Sequence, residues 1–176
     1  MNSTDERALV TRAQKNPAGF GELFDLYYDR IYAYAYRRVG AREHAEDVAA
    51  SVFEDALRNI KRFKWNGAPV SAWLYRIAQR RVADFYRCEK PASQVTANDA
   101  VGEGPAAGFE RAERGESIRR ALDCLNSKDR EIIKLVFFDD LETEEIAALY
   151  DCRSSNVYVR LHRALKKLER ILDDKM

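Results

Sequence analysis

The sequence predicts an all-α protein of two small helical domains, an N-terminal bundle and a C-terminal four-helix domain with a helix-turn-helix, joined by a flexible linker. Three observations carry this. Apolar residues recur at spacings of three and four through most of the chain, the period of an amphipathic helix, and strand patterns are almost absent. Residues 91–109, PASQVTANDAVGEGPAAGF, hold two of the four prolines and three of the eight glycines and have no apolar period, which is a linker composition. Residues 146–172, IAALYDCRSSNVYVRLHRALKKLERIL, read as a short apolar helix, a tight polar break and a long amphipathic helix rich in base. The expected organisation is a domain over residues 1–90, a linker over 91–111 and a second domain over 112–176.

The N-terminal unit reads as four helices. The first covers roughly residues 4–15. The second runs from about residue 19 to 39, with Leu23, Phe24, Tyr27, Tyr28 and Ile31 inward, and Gly40 is a natural stop. Within it Tyr32 and Tyr36 share a face while Tyr34 points elsewhere. The third spans about 45–59 around Val48, Val52, Phe53 and Ala56. Pro69 suits the first turn of the fourth, which carries Trp73, Leu74, Ile77, Ala78 and Val82 and ends near Arg87. The C-terminal unit reads as helices near 112–125, 128–138, 143–150 and 154–172. Ser127 and Thr143 are the expected caps of its middle helices, each followed by acids in the first turn. Asp151 falls in the tight turn, where Asp tolerates strained backbone.

Composition narrows the function. The 176 residues are 46% hydrophobic and 34% charged, and no stretch approaches the roughly 20 apolar residues of a membrane span. The N-terminus is polar and of mixed charge, unlike a signal peptide, so a cytoplasmic protein without membrane insertion is expected. Cys88, Cys124 and Cys152 are far apart, and with only His44 and His162 beside them no metal-ligand spacing arises. There is no glycine-rich phosphate loop and no nucleophile–base set, so neither a cofactor nor an enzymatic activity is expected. The net charge of +1 hides segregation: residues 127–152 hold 3 Lys/Arg against 8 Asp/Glu, and residues 153–176 hold 7 against 3. The switch falls just before the basic helix, which suits a docked helix presenting base to a phosphate backbone.

Two constellations point to nucleic acid. In the last helix Val157, Leu161, Ala164, Leu165 and Leu168 form an apolar face, and Arg160, Arg163, Lys167 and Arg170 a solvent-facing stripe. That is the arrangement a DNA major groove accepts. In the N-terminal unit the loop Lys61-Arg62-Phe63-Lys64-Trp65-Asn66-Gly67 alternates base with aromatic rings, and the following helix adds Trp73, Tyr75, Arg76, Arg80, Arg81, Tyr86 and Arg87. Cations bind phosphate and ring faces stack on unpaired bases. The competing reading makes Phe63 and Trp73 core anchors on a solvated basic face. For Trp73 the core reading is favoured, and for Trp65 contact. Glu46, Asp47, Glu54 and Asp55 form an acidic helix surface, which is usually plain solvation but also suits a basic protein partner.

These blocks resemble the small two-domain sigma factors of the extracytoplasmic-function (ECF) type, over about residues 20–172. FGELFDLYYDRIYAYAYRRVG and AEDVAASVF resemble the opening helix and acidic motif of the family's second region. SAWLYRIAQRRVADFYR resembles its melting and minus-ten element, and ALDCLNSKDREIIKLVFFDDLETEEIAALYDCRSSNVYVRLHRAL its fourth region. The resemblance implies that Asp47, Val48, Ser51, Glu54 and Asp55 meet the clamp coiled coil of core RNA polymerase. It implies that melted minus-ten DNA meets Lys61, Arg62, Phe63, Lys64, Trp65, Asn66, Trp73, Arg76, Arg80, Asp84 and Arg87. It implies that minus-thirty-five duplex meets Arg153, Ser154, Ser155, Asn156, Tyr158, Val159, Arg160, His162, Arg163 and Lys167. The C-terminal domain would also dock on the polymerase flap, and an anti-sigma partner is implied. Tyr158 and Val159 stand where the family usually has a basic residue and Ser, so the resemblance does not fix the promoter sequence. Two alternatives remain open on the residues: a stand-alone helix-turn-helix regulator, and a helical adaptor that mimics a sigma factor to bind an anti-sigma protein.

Overall fold

The structure, a computed structural model, describes residues 3–89 and 109–173. Every regular element among them is helical. The chain divides into two units, Met1–Val101 and Gly102–Met176.

In the first unit α1 (Ser3–Lys15) packs on α2 (Pro17–Val39), α2 on α3 (Arg42–Asn59), and α4 (Val70–Glu89) on both α2 and α3. The Asn16 side chain caps α2 by accepting the Gly19 N–H at 2.7 Å, and Pro17 occupies the first turn. Gly40 ends α2 at φ 75°, its N–H returning to the Tyr36 carbonyl at 2.9 Å. Gly19 is needed for a different reason. A Cβ there would lie 2.3 Å from the Arg12 carbonyl oxygen, so the α1–α2 crossing is set by a missing side chain. Leu23, Ile31, Ala35, Val52, Ala56, Val70, Leu74 and Ala78 are fully buried and form the core. Tyr34 is buried against Tyr75 with ring centroids 5.2 Å apart, while Tyr28, Tyr32 and Tyr36 stack along the other face of α2, the division expected from the helical period.

In the second unit α6 (Ser127–Phe137), α7 (Thr143–Leu149) and α5 (Phe109–Asp123) all pack on α8 (Ser154–Asp173). α5 starts at Phe109, inside the stretch 91–111 expected to be linker; residues 90–108 lie outside the described residues. Arg130 closes the end of α5 by donating to the Leu122, Asp123 and Leu125 carbonyls at 2.9, 2.7 and 3.2 Å. Two expected caps shift by one residue. Asn126, not Ser127, caps α6 by accepting the Asp129 N–H at 2.9 Å. Glu142, not Thr143, caps α7, and its N–H donates to the Glu145 carboxylate at 2.8 Å. Between α7 and α8 Asp151 adopts φ 51°, the left-handed turn its short polar side chain tolerates.

Candidate nucleic-acid interface

In the N-terminal unit a 3-10 turn, Ile60–Arg62, redirects the chain out of α3. Ile60 is buried, and Gln14 of α1 donates to the Ile60 and Phe63 carbonyls at 2.9 and 2.8 Å. The start of the aromatic–basic loop is thus held from below by α1. Phe63 then lies against Trp73 of α4 at a ring-centroid separation of 4.7 Å. Both rings are half-buried, so they are neither core anchors nor free platforms. They belong to the wall of an open cavity of about 300 Å³, lined also by Asp55, Asn59, Arg62, Arg76, Ile77 and Arg80.

Five of the residues expected at the minus-ten element, Arg62, Phe63, Trp73, Arg76 and Arg80, therefore converge on one cleft, with Asp55 of the acidic α3 face beside them. Lys61, Lys64, Trp65 and Asn66 are not among its lining. Trp65 is half-buried, and the Asn66 side-chain oxygen, Oδ1, accepts the Ala68 N–H at 3.1 Å to shape the loop before Gly67 at φ 88°. Asn59 is not singled out in the sequence, and Ile77 reads there as an apolar position of the fourth helix rather than as a contact residue. Both lie one turn from residues that the sequence does flag, but on faces that look like ordinary helix surface and core. Asp84 and Arg87 form an exposed pair with each other at 3.0 Å, a local helix contact rather than a wall of the cleft.

The C-terminal unit presents α8 edge-on to solvent. Val157 and Ala164 are buried against the other helices, while Ser155, Asn156, Tyr158, Val159, Arg160, His162 and Arg163 are all exposed. Arg153 precedes the helix, exposed, and its carbonyl accepts the Asn156 N–H at 2.8 Å, opening the first turn. Ser154 is half-buried. Beside the turn, Asp151, Cys152, Arg153, Ser155 and Asn156 line an open concavity with Ala147 and Ala148. Lys167 corrects an expectation. It does not stand free on the basic stripe but is paired with Asp129 of α6. That hydrogen bond holds the Asp129 carboxyl below the ordinary carboxylate range, helped by Asn126 and by the charges of Lys167 and Arg160.

The two units match two family models, Sigma-70 region 2 over residues 23–91 and Sigma-70, region 4 over residues 115–168. The chain is 32% identical to the ECF RNA polymerase sigma factor BldN of Streptomyces coelicolor, over 94% of its own length and 65% of the relative's. It is also 32% identical to the ECF RNA polymerase sigma factor SigW of Bacillus subtilis, over 88% of its length and 89% of the relative's. The chain belongs to the sigma-70 family, in its ECF branch. Among solved structures, CnrH in complex with the cytosolic domain of CnrY matches this sigma factor with TM-score 0.65 and 27% identity, over 97% of this chain and 99% of that one. The sigma factor RpoE of Bartonella quintana, in complex with the anti-sigma factor NepR, shares the fold with TM-score 0.59 and 21% identity, over 88% and 96% of the two chains. No described helix is long and apolar enough to cross a membrane.

On the acidic face of the sigma factor's α3, two of the residues expected at the polymerase are turned away from open solvent. Val48, expected at the polymerase contact, is 5% exposed and belongs to the core, so it shapes that surface only from behind. Asp55 is turned towards α4, where it accepts from the Arg81 guanidinium at 2.8 Å and raises the Arg81 pKa further above its usual range. Asp47 and Glu54 remain exposed, with Ser51 half-buried between them at the same helical spacing.

Proposed function

We propose that this sigma factor splits promoter recognition between its units. The N-terminal unit, about residues 1–90, captures bases of the melted minus-ten element at the Phe63–Trp73 cleft. The C-terminal unit, about 112–176, reads minus-thirty-five duplex with α8. The cleft carries the proposal: a contacting aromatic pair, flanked by exposed Arg62, Arg76 and Arg80, offers a stacking wall and phosphate contacts together. Asp47, Ser51 and Glu54 supply the face that meets the polymerase clamp coiled coil. The C-terminal unit docks on the flap, with the segment that precedes α5 as the tether. No side chain here performs chemistry, because the core polymerase supplies it, so the chain acts in the cytoplasm as an initiation factor without enzymatic activity of its own. CnrH was solved with the cytosolic domain of CnrY, which supports a protein partner for this chain, and the family resemblance makes an anti-sigma protein the expected one.

The test is reconstitution. Purified core polymerase with this protein, given genomic fragments, is expected to start transcripts at discrete positions that core alone does not use. Absence of any discrete start on every fragment contradicts the proposal.

A further inference from the structure

The outward face of α8 is not uniformly polar. Tyr158 is 58% exposed and Val159 48%, although Val157 between Asn156 and Tyr158 is 1% exposed. At about 100° per residue, Val159 points almost opposite Val157. Its neighbours three and four positions away are Ser155, Asn156, His162 and Arg163, all exposed. Arg160 adjoins on one flank and Tyr158 on the other. A single exposed apolar residue on a helix is ordinary. Two adjacent ones on the outward face of the basic helix, flanked along the helix by Arg160 and Arg163, call for an occupant that is anionic at its rim and apolar at its floor. The major groove of duplex DNA has both: phosphates line its edges, and the thymine C5-methyl is the one apolar group on its floor.

We infer that Tyr158 and Val159 are specificity-determining residues that read thymine methyl groups in the minus-thirty-five element, with Val159 the central contact. The inference rests on the proposed role of α8 as the duplex reader. Val159 has no donor or acceptor, so a guanine O6 or a cytosine N4 facing it loses water without a replacement hydrogen bond. A thymine methyl facing it loses only unfavourable hydration. Tyr158 adds ring area beside the same base step and keeps its hydroxyl for a phosphate or for water.

The experiment uses holoenzyme assembled from the full chain and core polymerase, and a duplex pool randomised across minus thirty-five. The selected sequence is then remade with deoxyuridine in place of each selected thymine, which deletes the methyl and keeps every hydrogen-bonding group. Thymine is expected at one or more selected positions, and each contacted methyl is expected to account for about a fourfold loss of affinity. Val159→Ala is expected to lower affinity for the thymine site and to shrink the thymine-over-uracil ratio below about twofold, whereas Val159→Thr, which keeps one methyl, retains an intermediate ratio. Equal binding of thymine and uracil sites by the wild type overturns the inference and leaves the patch to a protein partner. So does an unchanged ratio in Val159→Ala. If no sequence is enriched at minus thirty-five and Arg163→Ala is also silent, the role of α8 as duplex reader fails with it.

Discussion

Lys167 on α8 donates to the carboxylate of Asp129 on α6, so one cation of the basic helix is spent inside its own domain. Asp129 sits in the first turn of α6, where the positive helix end already favours a carboxylate, and the Asn126 side chain adds a bond at 2.7 Å. The pair therefore anchors α8 on α6 and withholds Lys167 from phosphate.

Asp129→Asn is expected to release that cation. The salt dependence of duplex binding by the holoenzyme should steepen by about one counterion, while Lys167→Met, read in the same titration, should leave the slope unchanged. The two variants should each cost the C-terminal unit about 0.5–1 kcal/mol, as a half-exposed pair does. Because the folded-state pKa of Asp129 is depressed, the contribution is fully present above about pH 4 and is lost as pH falls through the lowered value. Thermal melts of wild type and Asp129→Asn should converge as pH drops from 5 to about 2.

Asp55 and Arg81 join α3 to α4, with side chains only 19% and 31% exposed. Alanine at either position should destabilise the N-terminal unit by about 1–2 kcal/mol, and the double variant should cost less than the sum, as measured by urea unfolding. Glu54 pairs with Arg58 on the open surface at 3.1 Å, so Glu54→Ala should change stability by about 0.5 kcal/mol or less while weakening assembly with core polymerase in a pull-down titration. Strictly additive costs at Asp55 and Arg81 would refute the coupling.

Gly19→Ala places a methyl into the Arg12 carbonyl of α1. Separating the helices should cost about 1–3 kcal/mol, visible as a lower thermal midpoint. Gly21→Ala, where an added Cβ meets nothing within 4 Å, should instead stabilise α2 by about 0.5–1 kcal/mol through helix propensity.

The helices and their inward faces were legible because burial leaves a period in the sequence: Leu23, Ile31, Val52, Leu74 and Val157 all sit where that period puts them. Caps were less legible. Asn126 and Ser127 are adjacent and chemically able, as are Glu142 and Thr143, and only the backbone decides which is the last non-helical residue. Long-range partners left no pattern. Asp55 and Arg81 are 26 residues apart and Asp129 and Lys167 are 38 apart, so each looked like a free surface charge. The cleft was half legible: the aromatic and basic residues announced it, but Asn59 and Ile77 enter its lining only because the 3-10 turn folds the loop back over α3 and α4.

The most direct test of the two-site account compares one promoter in two forms, fully duplex and with the minus-ten bases pre-melted by mismatches. The rate of open-complex formation is measured for holoenzymes carrying Trp73→Ala or Arg163→Ala. The account predicts that pre-melting shrinks the Trp73→Ala defect by about tenfold or more, since stacking on a captured base is worth about 1–3 kcal/mol, and leaves the Arg163→Ala defect as it was. Equal response of the two variants to pre-melting would contradict a division of labour between the cleft and α8.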